Sequence, residues 1–245
     1  MMTSMTSGLK ELVEYGNELA RPNFEEYGGI YYVDKKMYAL DFCQRAAAIE
    51  MSTLTGLVDY IKCQIDESTD KMLVQVISPT KVKLLSALDN DRKREALVDV
   101  TAQIPEFTYG RYMDNETFLI ALQSKFIPGN DRELILKFAG TVENGTVAQY
   151  SDDGITQKAT VKTGIASKGE AMVPNPVNLC PFRTFIEVGQ PASSFVFRMR
   201  QNRDEGVECA IFEADGGAWK NAAMKNIKEH LQAELKEFQQ FTVIS

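Results

Sequence analysis

The chain has 245 residues, 44% of them hydrophobic and 25% charged, a globular composition long enough for one sizeable domain or two small ones. Its formal net charge of −7 gives no bulk attraction to polyanions, which disfavours nucleic acid as a partner. Cys43, Cys63, Cys180 and Cys209 are too scattered for a zinc site or a disulfide framework, and no apolar run approaches a membrane span.

Leu9, Leu12, Val13 and Leu19 predict a short helix capped by Ser7 and ended by Arg21-Pro22. Tyr27 to Phe42 alternates aromatic with polar residues around Asp34-Lys35, which predicts a hairpin of Ile30–Val33 with Met37–Phe42. Ser52 to Asp66 is a stronger helix, with Leu54, Leu57, Val58, Ile61 and Ile65 on one stripe and Ser52 or Thr53 as N-cap. Met72–Ile77, Lys81–Leu88 and Glu95–Ala102 follow as three strands of an antiparallel meander.

Asp114 caps a helix reaching Phe126, and Pro128-Gly129-Asn130 breaks it. Leu134–Val142 and Thr146–Tyr150, joined by Asn144-Gly145, read as a hairpin. A turn at Asp152-Asp153-Gly154 leads into a run from Ile155 to Lys162, and Gly164 to Pro176 reads as a loop. Beyond it lie three short apolar runs, one alternating Phe195, Phe197 and Met199 against Val196, Arg198 and Arg200. They feed a long closing helix with Trp219, Ala223, Ile227, Leu231 and Leu235 in a stripe. No repeat, coiled coil or low-complexity tract is apparent.

Chemistry is sparse. The one histidine, His230, has no nucleophile motif beside it, and a single histidine excludes zinc sites built from histidine clusters. Gly164-Ile-Ala-Ser-Lys-Gly169 has a phosphate-loop spacing, but Glu170 and Ala171 stand where Lys and Ser or Thr are required. Glu213, Asp215, Gly216, Gly217 and Trp219 join a strand to a helix; the helix start could hold an anion, or the carboxylates a metal. The structural account fits every one of these residues: Asp215 caps, the glycines turn, and Trp219 anchors the helix to the sheet. Arg183, Arg198, Arg200 and Arg203 form the best basic patch, or else pair with Glu187 and Glu208 on neighbouring strands.

Several of these motifs together resemble one group of proteins. They are Asp152-Asp-Gly-Ile-Thr-Gln157, Val173-Pro-Asn-Pro-Val177, Pro181-Phe-Arg-Thr-Phe185, Glu187-Val-Gly-Gln-Pro191, Phe195-Val-Phe-Arg198 and Phe212-Glu-Ala-Asp-Gly-Gly-Ala-Trp219. With Ile77-Ser-Pro79, Glu116-Thr-Phe-Leu-Ile120 and Leu122-Gln-Ser124, they make Ser52 to Leu235 similar to the YfdQ-like family of phage and prophage proteins, a domain of unknown function. The resemblance implies a phage-encoded protein in the host bacterial cytoplasm and carries over no catalytic residue.

The expected fold is α+β, with antiparallel sheets, packed helices and a long C-terminal helix. Residues 1–50 read as an arm of helix and aromatic hairpin, 51–130 as a helix–meander–helix subdomain, and 131–245 as a sheet with the closing helix; the alternative joins 51–245 in one domain. Tyr31, Tyr32 and Tyr38 in the arm and Phe241, Val243 and Ile244 in the apolar tail are candidate interface residues, since apolar surface at both ends marks association. The expected function is a non-enzymatic homo-oligomer or scaffold, with no cofactor, no metal and no membrane. The alternative is a phage accessory or anti-defence factor that binds a host or phage protein, a nucleotide or nucleic acid.

Overall fold

The computed structural model describes residues 2–27, 30–36, 46–66, 71–89, 92–141, 151–152, 156–162, 168–202 and 206–245. The chain separates into two compact units, Met1–Arg45 and Ala46–Ser245. Among the described residues no helix is long and apolar enough to cross a membrane.

The first unit holds helix α1 (Met2–Ala20), strand β1 (Phe24–Tyr27) and strand β2 (Ile30–Val33). Its helix begins at Met2, well before the expected start near Leu9. Its strand Ile30–Val33 pairs antiparallel with β1, a pairing not expected from the sequence: Phe24 lies opposite Val33 and Tyr27 opposite Ile30. That register leaves only residues 28 and 29 to connect the strands. The partner strand expected over Met37–Phe42 lies outside the described residues.

Asp34 and Lys35, expected at a hairpin turn, hold the described part of the unit together. The Asp34 carboxylate accepts the backbone N–H of Asn23 at 2.8 Å and its side-chain amide at 2.9 Å. Lys35 donates to the carbonyls of Leu19 and Arg21, the latter at 2.7 Å. The last turn of α1 holds no basic residue of its own, so Lys35 supplies the cation that its free carbonyls favour.

In the second unit, strand β3 (Ile49–Met51), helix α2 (Leu54–Cys63), and strands β4 (Met72–Ser78), β5 (Lys81–Leu85) and β6 (Ala96–Thr101) come first. Strand β7 (Met113–Asp114), helix α3 (Asn115–Lys125) and helix α4 (Asn130–Thr141) follow. Then come strands β8 (Ser151–Asp152), β9 (Thr156–Lys162), β10 (Lys168–Pro174), β11 (Val177–Leu179), β12 (Ser193–Asn202) and β13 (Gly206–Glu213). Helix α5 (Ala218–Glu234) and strand β14 (Phe241–Ile244) complete the described elements. The fold is α+β.

One sheet has the order β14-β4-β5-β6-β3. Its centre is the expected antiparallel meander, but both outer strands run parallel to their neighbours, so the sheet is mixed. Alternation buries Val74, Val76, Val82, Leu84, Val98 and Val100 on one face, against Leu54, Leu57 and Ile61 of α2 and Ile227 and Leu231 of α5. Each such side chain contributes about 1.5–3 kcal/mol by leaving water. Thr53 caps α2 through Gly56, as its sequence suggests. The helix ends at Cys63 with Gln64 left-handed, and Ile65, expected on the stripe, is exposed.

A second sheet has the order β11-β12-β13-β7. Its inward residues Phe195, Phe197, Met199, Cys209 and Ile211 pack with Phe118 and Leu122 of α3 and Ile135, Phe138 and Ala139 of α4. Phe197 meets Phe118 and Phe138 with centroids 5.8 and 6.0 Å away.

Helix α4 replaces the expected strand over Leu134–Val142. Asp131 and Glu133 favour its first turn, and Ile135, Phe138 and Ala139 fall at helical spacing. The two helices latch each other's ends. Arg132 donates to Leu122 O at 3.0 Å and Gln123 O at 2.9 Å, while Asn115 donates to Ala139 O at 2.9 Å. The Asn144-Gly145 turn lies outside the described residues. Strand β10, paired antiparallel with β9 in a third sheet, occupies part of the expected Gly164–Pro176 loop.

Helix α5 spans 17 residues, about 25 Å, and is not especially long. Its stripe of Ala223, Ile227 and Leu231 is buried, and Ile227 and Leu231 serve the five-stranded sheet. The apolar tail joins that sheet too: Phe241 to Ile244 pair with Met72 to Gln75, and Val243 is only 8% exposed. The expectation that Phe241, Val243 and Ile244 form a free docking arm loses its motive, because the parent domain already uses them.

Candidate functional site

Between the two sheets the chain runs from Cys180 to Ala192 without regular structure, and the most densely bonded polar side chains gather there. The run starts by bridging Pro181 to Phe126, with Ile127 N–H donating to Cys180 O at 2.8 Å and Phe182 N–H to Lys125 O at 3.0 Å. Gln190 ties it into a knot. Its carbonyl oxygen accepts the N–H groups of Arg183 and Thr184 at 3.0 and 3.2 Å, and its amide donates to Phe185 O at 2.8 Å and Val188 O at 3.3 Å. A glutamine can do this because it carries donor and acceptor on one planar head.

The knotted loop then serves both cores. Phe185 and Val188 are buried in the core of the five-stranded sheet. The Glu187 carboxylate accepts Leu54 N–H at 2.8 Å and Thr55 N–H at 3.3 Å, adding an anion to the start of α2. Thr184 donates its hydroxyl to Pro79 O, and Asn226 of α5 donates to Gly189 O at 2.7 Å. Glu187 is thus a helix cap, and the expectation that it pairs with a strand arginine is corrected.

Arg183 is the centre of the charged cluster. It is only 5% exposed. Its guanidinium lies 2.9 Å from Glu213 Oε1, donates to the Ser193 hydroxyl, and stacks 4.0 Å from the Trp219 ring centroid and 5.5 Å from that of Phe195. Burial pulls its pKa below the ordinary value, against the opposing pull of Tyr109, Glu213 and Asp215. Tyr109 stacks on Phe195 at 5.6 Å, and burial pushes its phenol up to about 12.

Asp215 closes the cluster. Burial alone would raise its carboxyl; the Ser193 hydroxyl, the N–H groups of Gly217 and Trp219, and the Arg183 charge bring it below the ordinary value. Its two oxygens accept those N–H groups at 3.0 and 3.3 Å. Gly216 and Gly217 both hold positive φ, +63° and +80°, a conformation that requires glycine at this tight turn. The helix start that could have cradled an external anion is thus filled by the protein's own carboxylate. Trp219, expected to anchor the helix to the sheet, is half-buried, with Arg183 stacked over its ring. The Nε of Arg183 and Nε1 of Trp219 are buried donors without a protein partner.

The three described arginines of the expected patch, Arg183, Arg198 and Arg200, do not converge. Arg183 lies against Phe195, on the opposite face of β12 from Arg198 and Arg200. Arg200 pairs across the strands with Glu208 at 2.5 Å and lies 4.0 Å over Tyr112, while Arg198 donates to Phe197 O at 3.0 Å. Arg203 lies outside the described residues.

Elsewhere the chemistry is dispersed. His230 is half-buried on α5, Cys63 is exposed, Cys180 donates to Gln190 O at 3.1 Å, and Cys209 is buried with its thiol pushed up to about 12. Cys43 lies outside the described residues. Among the described residues no group of three or more His, Cys, Asp or Glu side chains is placed to hold a metal ion. A polar groove of about 550 Å³ opens beside β3, lined by Glu50, Ser52, Lys81, Asp99 and Thr101. Sequence reasoning missed it because it depends on β3 pairing with β6.

Several large apolar side chains are exposed in the first unit. Leu9, Leu12, Val13, Tyr15 and Leu19 of α1 are 59–71% exposed, and Phe24, Tyr32 and Val33 of the hairpin are also exposed. Tyr31 lies on β2 and pairs with Glu26, while Tyr38 lies outside the described residues. Compared with models of protein families, with curated proteins and with solved structures, the chain has no match.

Proposed function

We propose that this chain is a non-enzymatic phage or prophage protein that self-associates into a homo-oligomeric assembly through its first unit, residues 1–45. The observation that carries the reading is the apolar face of α1, on which five large side chains lie open to water. Helices owe most of their stability to packing an amphipathic face, and an isolated helix is marginal in water. Gly8 and Gly16 weaken α1 further, by about 1 kcal/mol each relative to alanine. The hairpin beside it is a two-stranded sheet, equally marginal alone. A unit of this kind gains its stability by burying that face on a partner, and identical chains most often form closed symmetric assemblies.

The phage origin rests on the resemblance of Ser52 to Leu235 to the YfdQ-like family. The accessory-factor reading is weaker, because it drew on an arginine patch and both Arg183 and Arg200 are engaged by carboxylates. Light scattering of the intact chain at micromolar concentration tests the proposal. The expected mass is a multiple of 27.4 kDa. A single-chain mass across the micromolar range overturns it.

A further inference from the structure

We propose that the groove beside β3 binds a small zwitterion of dipeptide size, with its ammonium on Glu50 and its carboxylate on Lys81. The inference is independent of how the chain assembles, because every lining residue belongs to the second unit. Strand register builds the site. Lys81 stands opposite Thr101, and Asp99 lies between Lys83 on one side and Glu50 on the other. Alternation puts all five on the sheet face away from the buried Val82, Val98 and Val100. Ser52 and Gln103, just past the strand ends, complete a trough of about 550 Å³ with no aromatic residue in its lining. That volume suits a small molecule, and the lack of an aromatic platform disfavours nucleobases, which stack.

The charges decide the class of ligand. Lys83 holds Asp99 at 2.9 Å, so that carboxylate is already neutralised. Glu50 and Lys81 form no ion pair with any described residue, which leaves one free carboxylate and one free ammonium in the groove. A lone anion gains Lys81 but meets two carboxylates, and a lone cation gains Glu50 but meets Lys81. A ligand carrying both charges satisfies both. Strands β5 and β3 flank β6 and so lie about 10 Å apart, while an extended dipeptide spans about 7 Å. Such a ligand fits across the three strands. The hydroxyls of Ser52 and Thr101 and the amide of Gln103, none of them bonded to a described residue, are there to meet its peptide group.

The test uses the full chain and glycylglycine, which carries both end charges and one peptide bond without side chains. Calorimetric titration, with saturation-transfer NMR for weak binding, compares it with acetyl-glycylglycine and glycylglycine amide, each lacking one charge. The natural chain is expected to bind glycylglycine about 10-fold or more tightly than either blocked form. Glu50→Gln and Lys81→Gln should each weaken binding by about 10-fold or more. The exchange Glu50→Lys/Lys81→Glu should retain it with the ligand reversed. Lys225→Gln, on the exposed side of α5, should change nothing. Thermal unfolding checks that each variant stays folded, and the blocked peptides test the natural chain whether or not the variants fold. Binding unchanged by Glu50→Gln and Lys81→Gln overturns the site. Equal binding of the blocked forms, or no binding of glycylglycine up to about 10 mM, overturns the ligand class.

Discussion

The guanidinium carbon of Arg183 lies 4.0 Å from the ring centroid of Trp219. One residue belongs to the loop between the sheets and the other opens α5, so a single stacked contact fixes loop, sheet and helix together. Desolvated stacks of this kind contribute about 2 kcal/mol. Trp219→Ala is expected to lower stability by about 2–4 kcal/mol, below the full cost of a buried aromatic because the ring is only half-buried. Arg183→Ala should cost about 1–3 kcal/mol through its lost stack and hydrogen bonds, since the Glu213 carboxylate it leaves stays solvated. Urea midpoints of the double variant should show the two effects to be non-additive by at least about 1 kcal/mol. Strict additivity would break the argument.

Gln190 offers a sharper chemical test. Gln190→Glu keeps the acceptor for Arg183 and Thr184 N–H but sets a carboxylate against the carbonyls of Phe185 and Val188. A loss of about 1–3 kcal/mol is expected at neutral pH, partly recovered as the carboxyl is protonated. Gln190→Ala should lose a similar amount with no such recovery. Identical pH profiles for the two variants would contradict the knot.

Acid should destabilise the fold through Asp114 and Asp215. Asp114 caps α3 by accepting Thr117 N–H at 2.8 Å, and both carboxyls are held below the ordinary value. A depressed folded pKa means stability that is fully present above the unfolded value, about 3.9, and lost as pH falls through the folded one. Thermal midpoints should drop across that acid range, and less steeply in the Asp114→Asn/Asp215→Asn double variant. A profile unchanged by the substitutions would remove these two groups from the account.

Removing Phe241–Ser245 should unfold rather than dissociate. It strips the neighbour of β4 and takes Val243 from the core. A loss of about 3–5 kcal/mol in chemical denaturation is expected, comparable to deleting a large core side chain. An unchanged midpoint would show that the strand adds nothing.

Elements whose periodicity was long and unambiguous were legible in the sequence. The stripe of α2, the Asp114 cap, the alternation of Phe195, Phe197 and Met199, and the Asp215-Gly-Gly turn all declare themselves locally. What failed was nonlocal or degenerate. Strand β3 has three residues and exists because Val98–Val100 lies beside it, information absent from Ile49-Glu-Met51. The aromatic alternation between Tyr27 and Phe42 does not name the partner of Ile30–Val33, and the pairing with Phe24–Tyr27 went unread. The apolar triplet Leu134-Ile-Leu136 has no period, so strand and helix could not be told apart there. Arg183 was legible as a charge but not as a buried one, because its neighbours Ser193, Glu213 and Trp219 come together only in the fold.

The parallel pairing of β14 with β4 bears on how the molecule is made. When synthesis has reached Gln240, β4 still has a bare edge, and the place for Val243 in the core is vacant. Pairings this distant along the chain form slowly, because a long loop must be closed before any contact is gained. A product cut short before Phe241 would carry an open strand edge, a template for pairing with other chains and for aggregation.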